Sequence, residues 1–264
     1  MKIERLSVDN LREGVYCPRG LKRSEENYAQ LEAWLDGSIL RGQIARDDSG
    51  EPVGFILYYP IERVPMEVDG SGLHMVQCLF VKPEFQDQGV GRALVESAMS
   101  DAMESGALGL AAQAHHMEPT DRTDYLPASF FEHLGMAPGE SRGSTTLYYK
   151  SFGKSASPPR YLDPSFQPPP DETRIRIDIL DCRRCYTAVT NRGIVEQVAQ
   201  TLKDHEVKVV VHDQNTRPAV LDKGMSSGVF IDGKLTFFDG PITEEDVWNA
   251  IRVASSARGL RVDR

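Results

Sequence analysis

Two short stretches of this chain hold reactive or ligand-binding residue types at telling spacings. The first is Gln86-Asp87-Gln88-Gly89-Val90-Gly91-Arg92, a Q-x-x-G-x-G loop that follows an apolar strand and opens a helix. A helix start leaves its first N–H groups without internal partners and carries partial positive charge. Glycines let that backbone come close to a ligand, so the loop has the physics of a pyrophosphate site. The second stretch is Cys182-Arg183-Arg184-Cys185. Two intervening residues let both sulfurs face one point at a helix start. The helix dipole and the two arginines are expected to favour the Cys182 thiolate. Such a pair can oxidise to a disulfide, hold a soft metal ion or be structural, and the sequence leaves these open.

Regular elements must position these groups. Leu73–Val81 is an apolar strand that Pro83 ends, and residues 91–104 have helical spacing, with Val90, Ala93, Leu94, Ser97 and Ala98 on one side. Upstream, residues 24–35 are predicted as a helix. Residues 43–46 and 53–59 are predicted as a hairpin turned by Asp48-Ser49-Gly50. Downstream come a short strand at 108–112, a helix at 129–134 stopped by Gly135, and a strand at 145–149. Residues 64–72 read as a loop. Around the cysteine pair, residues 174–180 alternate as a strand, a helix runs from about 191 to 203, and 208–211 is a strand. A hairpin turns at Asp232-Gly233, and a helix capped by Thr243 and Asp246 closes the chain.

Between these groups of elements Ser155-Ala156-Ser157-Pro158-Pro159 is followed by Pro164, Pro168, Pro169 and Pro170. Proline lacks the N–H that helices and central strands need, so 153–171 is predicted as an extended linker. It divides a domain at 1–152 from one at 172–264. The 264 residues suit two domains, and 40% apolar with 26% charged residues is an ordinary globular composition. The net charge of -9 argues against nonspecific binding to nucleic acid or an anionic membrane. No apolar run reaches the roughly 18–20 residues that cross a bilayer, and no secretory core follows Met1, so a cytoplasmic protein is expected. There the four cysteines, Cys17, Cys78, Cys182 and Cys185, are expected as thiols, redox groups or ligands.

The segment from Leu79 to Leu94, with its strand, proline, glutamine, two glycines and Arg92-Ala93-Leu94, resembles the acetyl-CoA-binding motif of the GNAT N-acetyltransferase superfamily. Phe130-Phe131-Glu132-His133-Leu134-Gly135-Met136 is similar to that family's late helix. The resemblance implies an α/β (α+β) fold with a split mixed sheet and acetyl-CoA as cosubstrate. Binding would involve Leu79, Phe80, Val81, Gln86, Asp87, Gln88, Gly89, Val90, Gly91 and Arg92, with the pantetheine arm in the split. The Leu79 N–H would serve as oxyanion donor, a role that contributes about 2.7–4 kcal/mol. Where some family members place a glutamate base this chain has Met75, and where many place a tyrosine acid it has Phe131. Neither moves a proton. Replacement candidates are His74, Gln77, His115, His116 and Tyr125, or a chain of water.

The second domain resembles a small thioredoxin-like α/β module. It departs from that pattern at Ser227, where a cis-proline is usual. That departure is expected to leave the approach to the cysteine pair less obstructed and to favour a soft ion. The order of the two domains resembles the YoaP-like group. Together these readings imply acetyl transfer to a primary amine of a small molecule or peptide, beside an accessory redox or metal-binding domain. The alternative is a redox or soft-metal protein whose first domain only binds a CoA ester. Oligomeric state is left open, a dimer included.

Overall fold

The computed structural model describes residues 1–16, 24–116, 126–153, 156–202, 207–238 and 240–260. The chain divides into two compact units. One comprises Met1–Val64 and Val68–Tyr161, the other Pro65–Glu67 and Leu162–Arg264. Among the described residues no helix is long and apolar enough to cross a membrane.

The first unit runs β1 (Lys2–Arg5), α1 (Val8–Gly14), α2 (Glu25–Asp36), β2 (Arg41–Arg46), β3 (Pro52–Pro60), β4 (Val68–Asp69) and β5 (Leu73–Val81). A 3₁₀ turn, Pro83–Phe85, leads to α3 (Val90–Glu104), β6 (Gly109–His115), α4 (Ala128–His133), β7 (Ala137–Arg142), β8 (Thr145–Ser151) and β9 (Arg160–Tyr161). Seven strands form one mixed sheet in the order β1-β2-β3-β5-β6-β8-β7, and β4 pairs with β9. All neighbours in the large sheet are antiparallel except β5 and β6. One face packs on α3 and α4 through Ile56, Tyr58, Val76, Leu94, Ala98, Ala112 and Phe131. On the face formed by the other residues of β3, Trp34 of α2 meets the ring of Tyr59 edge-on at 5.7 Å.

The second unit runs β10 (Ile175–Asp181), α5 (Tyr186–Gln200), β11 (Val207–Asp213), α6 (Arg217–Lys223), β12 (Gly228–Ile231), β13 (Lys234–Phe237) and α7 (Glu244–Arg258). Its sheet order is β11-β10-β12-β13, with β10 parallel to β11 and antiparallel to β12. Ile177, Ile179, Val195, Val198, Val247 and Ile251 form its core. Asp232 and Gly233 both take positive φ, 50° and 81°, as a two-residue hairpin turn requires. Thr243 and Asp246 cap α7 reciprocally.

Several elements differ from the sequence reading. α5 begins at Tyr186 rather than near 191, because Cys185 is its N-cap. The β-branched Thr187, Val189 and Thr190 have weak helix preference and hide that first turn. Residues 64–72 are not only loop, since Val68–Asp69 is a strand and Pro65–Glu67 belongs to the second unit. Within the proline-rich stretch Arg160–Tyr161 is β9, and the amides of Ser165 and Phe166 donate to the Lys223 carbonyl.

Buried Asp101 ties α3 to the sheet. It accepts from Arg41 Nε at 2.6 Å, from the Tyr58 hydroxyl at 2.7 Å and from Arg5. Burial pushes the Asp101 carboxyl up, but the bonds from Arg41 and Tyr58 and the Arg41 and Arg5 charges outweigh it and hold it below its ordinary value. A carboxyl depressed in the folded state stabilises fully above its unfolded pKa and loses that contribution as pH falls through the folded one. Asp101→Asn should therefore cost about 1.5–3 kcal/mol at pH 7, and the gap to wild type should shrink below pH ~4. Urea unfolding of both proteins from pH 7 to pH 3 checks this; a gap independent of pH would exclude the charge as the cause.

Candidate active site

β5 keeps its pairing with β3 along its whole length, from Leu73's end to Gly54↔Val81. Its parallel pairing with β6 covers only residues 73–76 against 109–112. Beyond Val76 the two strands part. A bulge marks the place: Leu57 faces Cys78 while Tyr58 faces Val76, so Gln77 is an extra residue on β5. The Tyr59 hydroxyl donates to the Gln77 side-chain oxygen and holds the bulge.

The orientation of Leu79 follows from alternation. Lys82 N donates to Val53 O at 2.9 Å, so the N–H groups of Phe80 and Lys82 point to β3. Those of Leu79 and Val81 then face the gap. Gln86 Nε2 occupies one group on that edge, donating to Val81 O at 3.0 Å. Gln86 therefore braces the loop against the strand end.

The loop ends at the first turn of α3. Asp87 and Gly89 take φ of 57° and 81°, and Gly89 is the N-cap. The first-turn amides of α3 have no acceptor within the helix. A Cβ on Gly89 would find nothing within 4 Å, so space lies open before these amides. Gln88 Nε2 donates to Glu84 O at 2.8 Å and shapes the other side of the turn. The exposed Arg92 pairs with Glu96 at 3.5 Å. Phe130 of α4 lies over Gly91, 3.4 Å from where a Cβ would stand.

The proton-transfer candidates separate. Met75 and Phe131 are fully buried, Phe131 stacked on Tyr148. His74 is buried too, its Nδ1 without a hydrogen-bond partner among the described residues. Burial, then the Arg41 charge, pushes its pKa down to about 4, which makes it a poor base at neutral pH. His115 ends β6. Pairing of β5 with β6 stops at Val76↔Ala112, and at His115 another segment adjoins β6: His115 bridges to Pro127 and its N–H donates to Leu126 O at 2.8 Å. Ala112 and Ala114 lie in the α3-side core, so alternation turns His115 to the opposite face. His116 turns to the α3 side, where its Nε2 lies 2.6 Å from Thr146 Oγ1. Tyr125 and Cys17 lie outside the described residues. Two tyrosines were not singled out in the sequence. The Tyr148 hydroxyl donates to Glu132 at 2.6 Å, and burial followed by that bond pushes its pKa up to about 12. Tyr16 packs edge-on against Phe55 and Phe80, each at 5.5 Å. Neither belongs to a spaced motif, so only the fold singles them out.

In the second unit the cysteines are unequal. Cys185 is exposed and Cys182 is buried. This corrects the expected Cys182 thiolate: burial, outweighing the Arg184 charge, pushes that thiol up to about 11. The arginines are also engaged, Arg183 with Asp181 at 3.1 Å and Arg184 beside Glu67 at 3.9 Å. Nor is the approach open as Ser227 suggested, because the Pro65 carbonyl lies 3.9 Å from Cys182 Sγ. Among the described residues no cluster of three or more His, Cys, Asp or Glu could hold a metal ion.

Residues 8–122 match the model of the acetyltransferase (GNAT) family. The chain carries a GNAT acetyltransferase domain. The GNAT domain thus belongs to a family of acyltransferases. The uncharacterized N-acetyltransferase YoaP of Bacillus subtilis is 22% identical over 132 residues, 49% of this chain and 51% of the relative. The chain therefore spans about half the length of that curated relative. Among solved structures, the PaiA N-acetyltransferase of Thermoplasma acidophilum in complex with coenzyme A is 21% identical. It matches 58% of this chain and 100% of its own, with a TM-score of 0.38. The GNAT family N-acetyltransferase YhbS of Escherichia coli in complex with CoA is 16% identical over 56% of this chain and 80% of its own, with a TM-score of 0.39.

A test of the loop follows from Gly89. Gly89→Glu adds a negative side chain in the open space and costs about 1–2 kcal/mol for the left-handed backbone. The protein should stay folded and lose at least about tenfold, or 1.4 kcal/mol, in acetyl-CoA affinity. Calorimetry with unchanged affinity would remove the loop from the site.

Proposed function

We propose that this chain is an N-acetyltransferase that moves acetyl from acetyl-CoA to a primary amine of a small molecule or peptide. One observation carries the reading: β5 parts from β6 beside the open first turn of α3. The gap is a place for an extended amide-bearing arm, and the helix start is a place for a pyrophosphate. The first-turn amides of 89–92 would hold the phosphates, with Gln86, Asp87 and Gln88 shaping the loop and Phe80 and Val81 flanking the arm. The Leu79 N–H, turned to the gap, would donate to the thioester oxygen as charge develops there.

The attacking amine must lose a proton. His115 is the residue we assign to accept it, directly or through water, because it ends β6 beyond the point where β5 and β6 part and lies on the face away from the α3-side core. His116 is engaged by Thr146 on the other face and is not assigned that role. The inability of Met75 and Phe131 to move a proton favours the second reading, a CoA-ester-binding domain without efficient turnover. The second unit we read as a thioredoxin-like thiol module; its sheet order β11-β10-β12-β13 and the cysteines before α5 support this.

Two measurements test the assignment. Purified protein with acetyl-CoA and a panel of small amines and lysine peptides should yield acetylated product by mass spectrometry; no product above spontaneous acetylation would leave only the binding reading. With an acceptor in hand, His115→Ala should lower kcat by about a hundredfold at neutral pH and leave acetyl-CoA affinity unchanged. A larger loss in His116→Ala would reverse the two assignments.

A further inference from the structure

The thiol pair of the second unit is asymmetric, and a three-residue segment lies against its buried member. Pro65–Glu67 belongs to this unit although it lies far from the rest of it in sequence. The Pro65 carbonyl lies 3.9 Å from Cys182 Sγ. Buried Arg217 donates to Met66 O at 2.8 Å. Buried Ser226 donates its hydroxyl to Glu67, and Arg184 donates to Ser226 at 3.0 Å. Leu162 N donates to Glu67 O at 2.9 Å. Cys182 is 1% exposed beneath this segment, while Cys185, three residues on, is exposed at the N-cap of α5.

We propose that Cys185 is the attacking thiol and Cys182 the resolving thiol of an exchange pair, and that Pro65–Glu67 is a removable cover which withholds Cys182 from exchange. The proposal rests on the reading of this unit as a thiol module and adds its order of events and its control. The reaction partner is a low-molecular-weight disulfide. The Cys185 thiolate attacks one of its sulfurs; a Cys185–S bond forms, the original S–S bond breaks, and one thiolate leaves. With the cover displaced, Cys182 gives its proton to water and attacks Cys185 Sγ. The Cys182–Cys185 bond forms and the second thiolate leaves. Two protein thiols are oxidised, and one disulfide is reduced to two thiols.

The attachment of the cover explains why it is removable. Among the described residues polar contacts to Glu67 and to the Met66 carbonyl hold it, and its buried Met66 is not part of the unit's main core cluster. Glu67 also sets its charge against Arg184, the cation that would otherwise favour a Cys182 thiolate. Losing the cover therefore opens access and removes the Glu67 charge from beside that cation.

The test uses the full chain. Wild type, Glu67→Gln and Ser226→Ala are treated with iodoacetamide, and separately with glutathione disulfide, and each cysteine is read by peptide mass spectrometry. In wild type Cys185 should alkylate at least tenfold faster than Cys182, and glutathione should remain on Cys185. Both variants should raise Cys182 alkylation at least tenfold and convert the mixed disulfide to Cys182–Cys185. Equal alkylation of the two cysteines in wild type, or no acceleration in variants with native circular dichroism, overturns the cover. Accelerated Cys182 alkylation with no disulfide formed overturns the thiol-module reading instead. Wild type in sub-denaturing urea supplies a check without substitution. Cys182 should become reactive before near-ultraviolet dichroism changes; reactivity that appears only with global unfolding overturns the proposal.

Discussion

The parting of β5 from β6 is the constraint on which the rest of the candidate active site depends. A strand buried in a sheet needs partners for its N–H and C=O groups on both edges. β5 has them on the β3 side throughout and on the β6 side only along residues 73–76. From Gln77 onward that edge must bond to something else. The Gln86 side chain supplies one partner, at Val81. Leu79 still faces the gap, and a ligand with its own amides fits that need better than water or an apolar side chain does. The bulge at Gln77 is the device that makes the strand turn away, since an extra residue sharpens local twist.

Divergence alone would leave a weak seam, so the helix beside it must be anchored. α3 meets the sheet through Leu94, Val95 and Ala98, which set its distance. Asp101, tied to Arg41, Arg5 and Tyr58 from β1, β2 and β3, sets its orientation near the other end. The same helix thus has a buried, multiply bonded carboxylate in its C-terminal half and a first turn whose amides have no acceptor within the helix. That arrangement keeps the first-turn amides aimed at a fixed place without drawing on groups of the loop itself. Phe130 and Phe131 of α4 continue the apolar packing around the same helix.

In the second unit chemistry is restrained by burial. Asp181 and Glu67 answer the two arginines that follow Cys182, and the Pro65 carbonyl lies against its sulfur. A thiol in such surroundings stays protonated, because a thiolate would lose water without gaining a free cation. Cys185, in the same four-residue motif, faces solvent. Identical side chains three residues apart therefore differ in exposure for reasons of packing alone.

Local residue chemistry determined much of this. The strand Leu73–Val81, the hairpins turned by Gly50 and Asp232-Gly233, the helix after Gly89 and the Thr243 cap were all legible, because each depends on neighbours within a few residues. The Q-x-x-G-x-G loop was legible for the same reason: positive φ at Gly89 and a free helix start are local properties. Contacts between distant segments were not legible. β1 and β7 are short and half-exposed, so they lack an apolar signature and exist through their partners β2 and β8. Residues 65–67 read as loop because nothing nearby in sequence marks Ser226 and Arg217 as their partners. The Cys-x-x-Cys spacing announced two thiols, but which of them is exposed depends on tertiary packing: the buried sulfur of Cys182 lies 3.9 Å from the carbonyl of Pro65, 117 residues away, a neighbour that no local pattern marks.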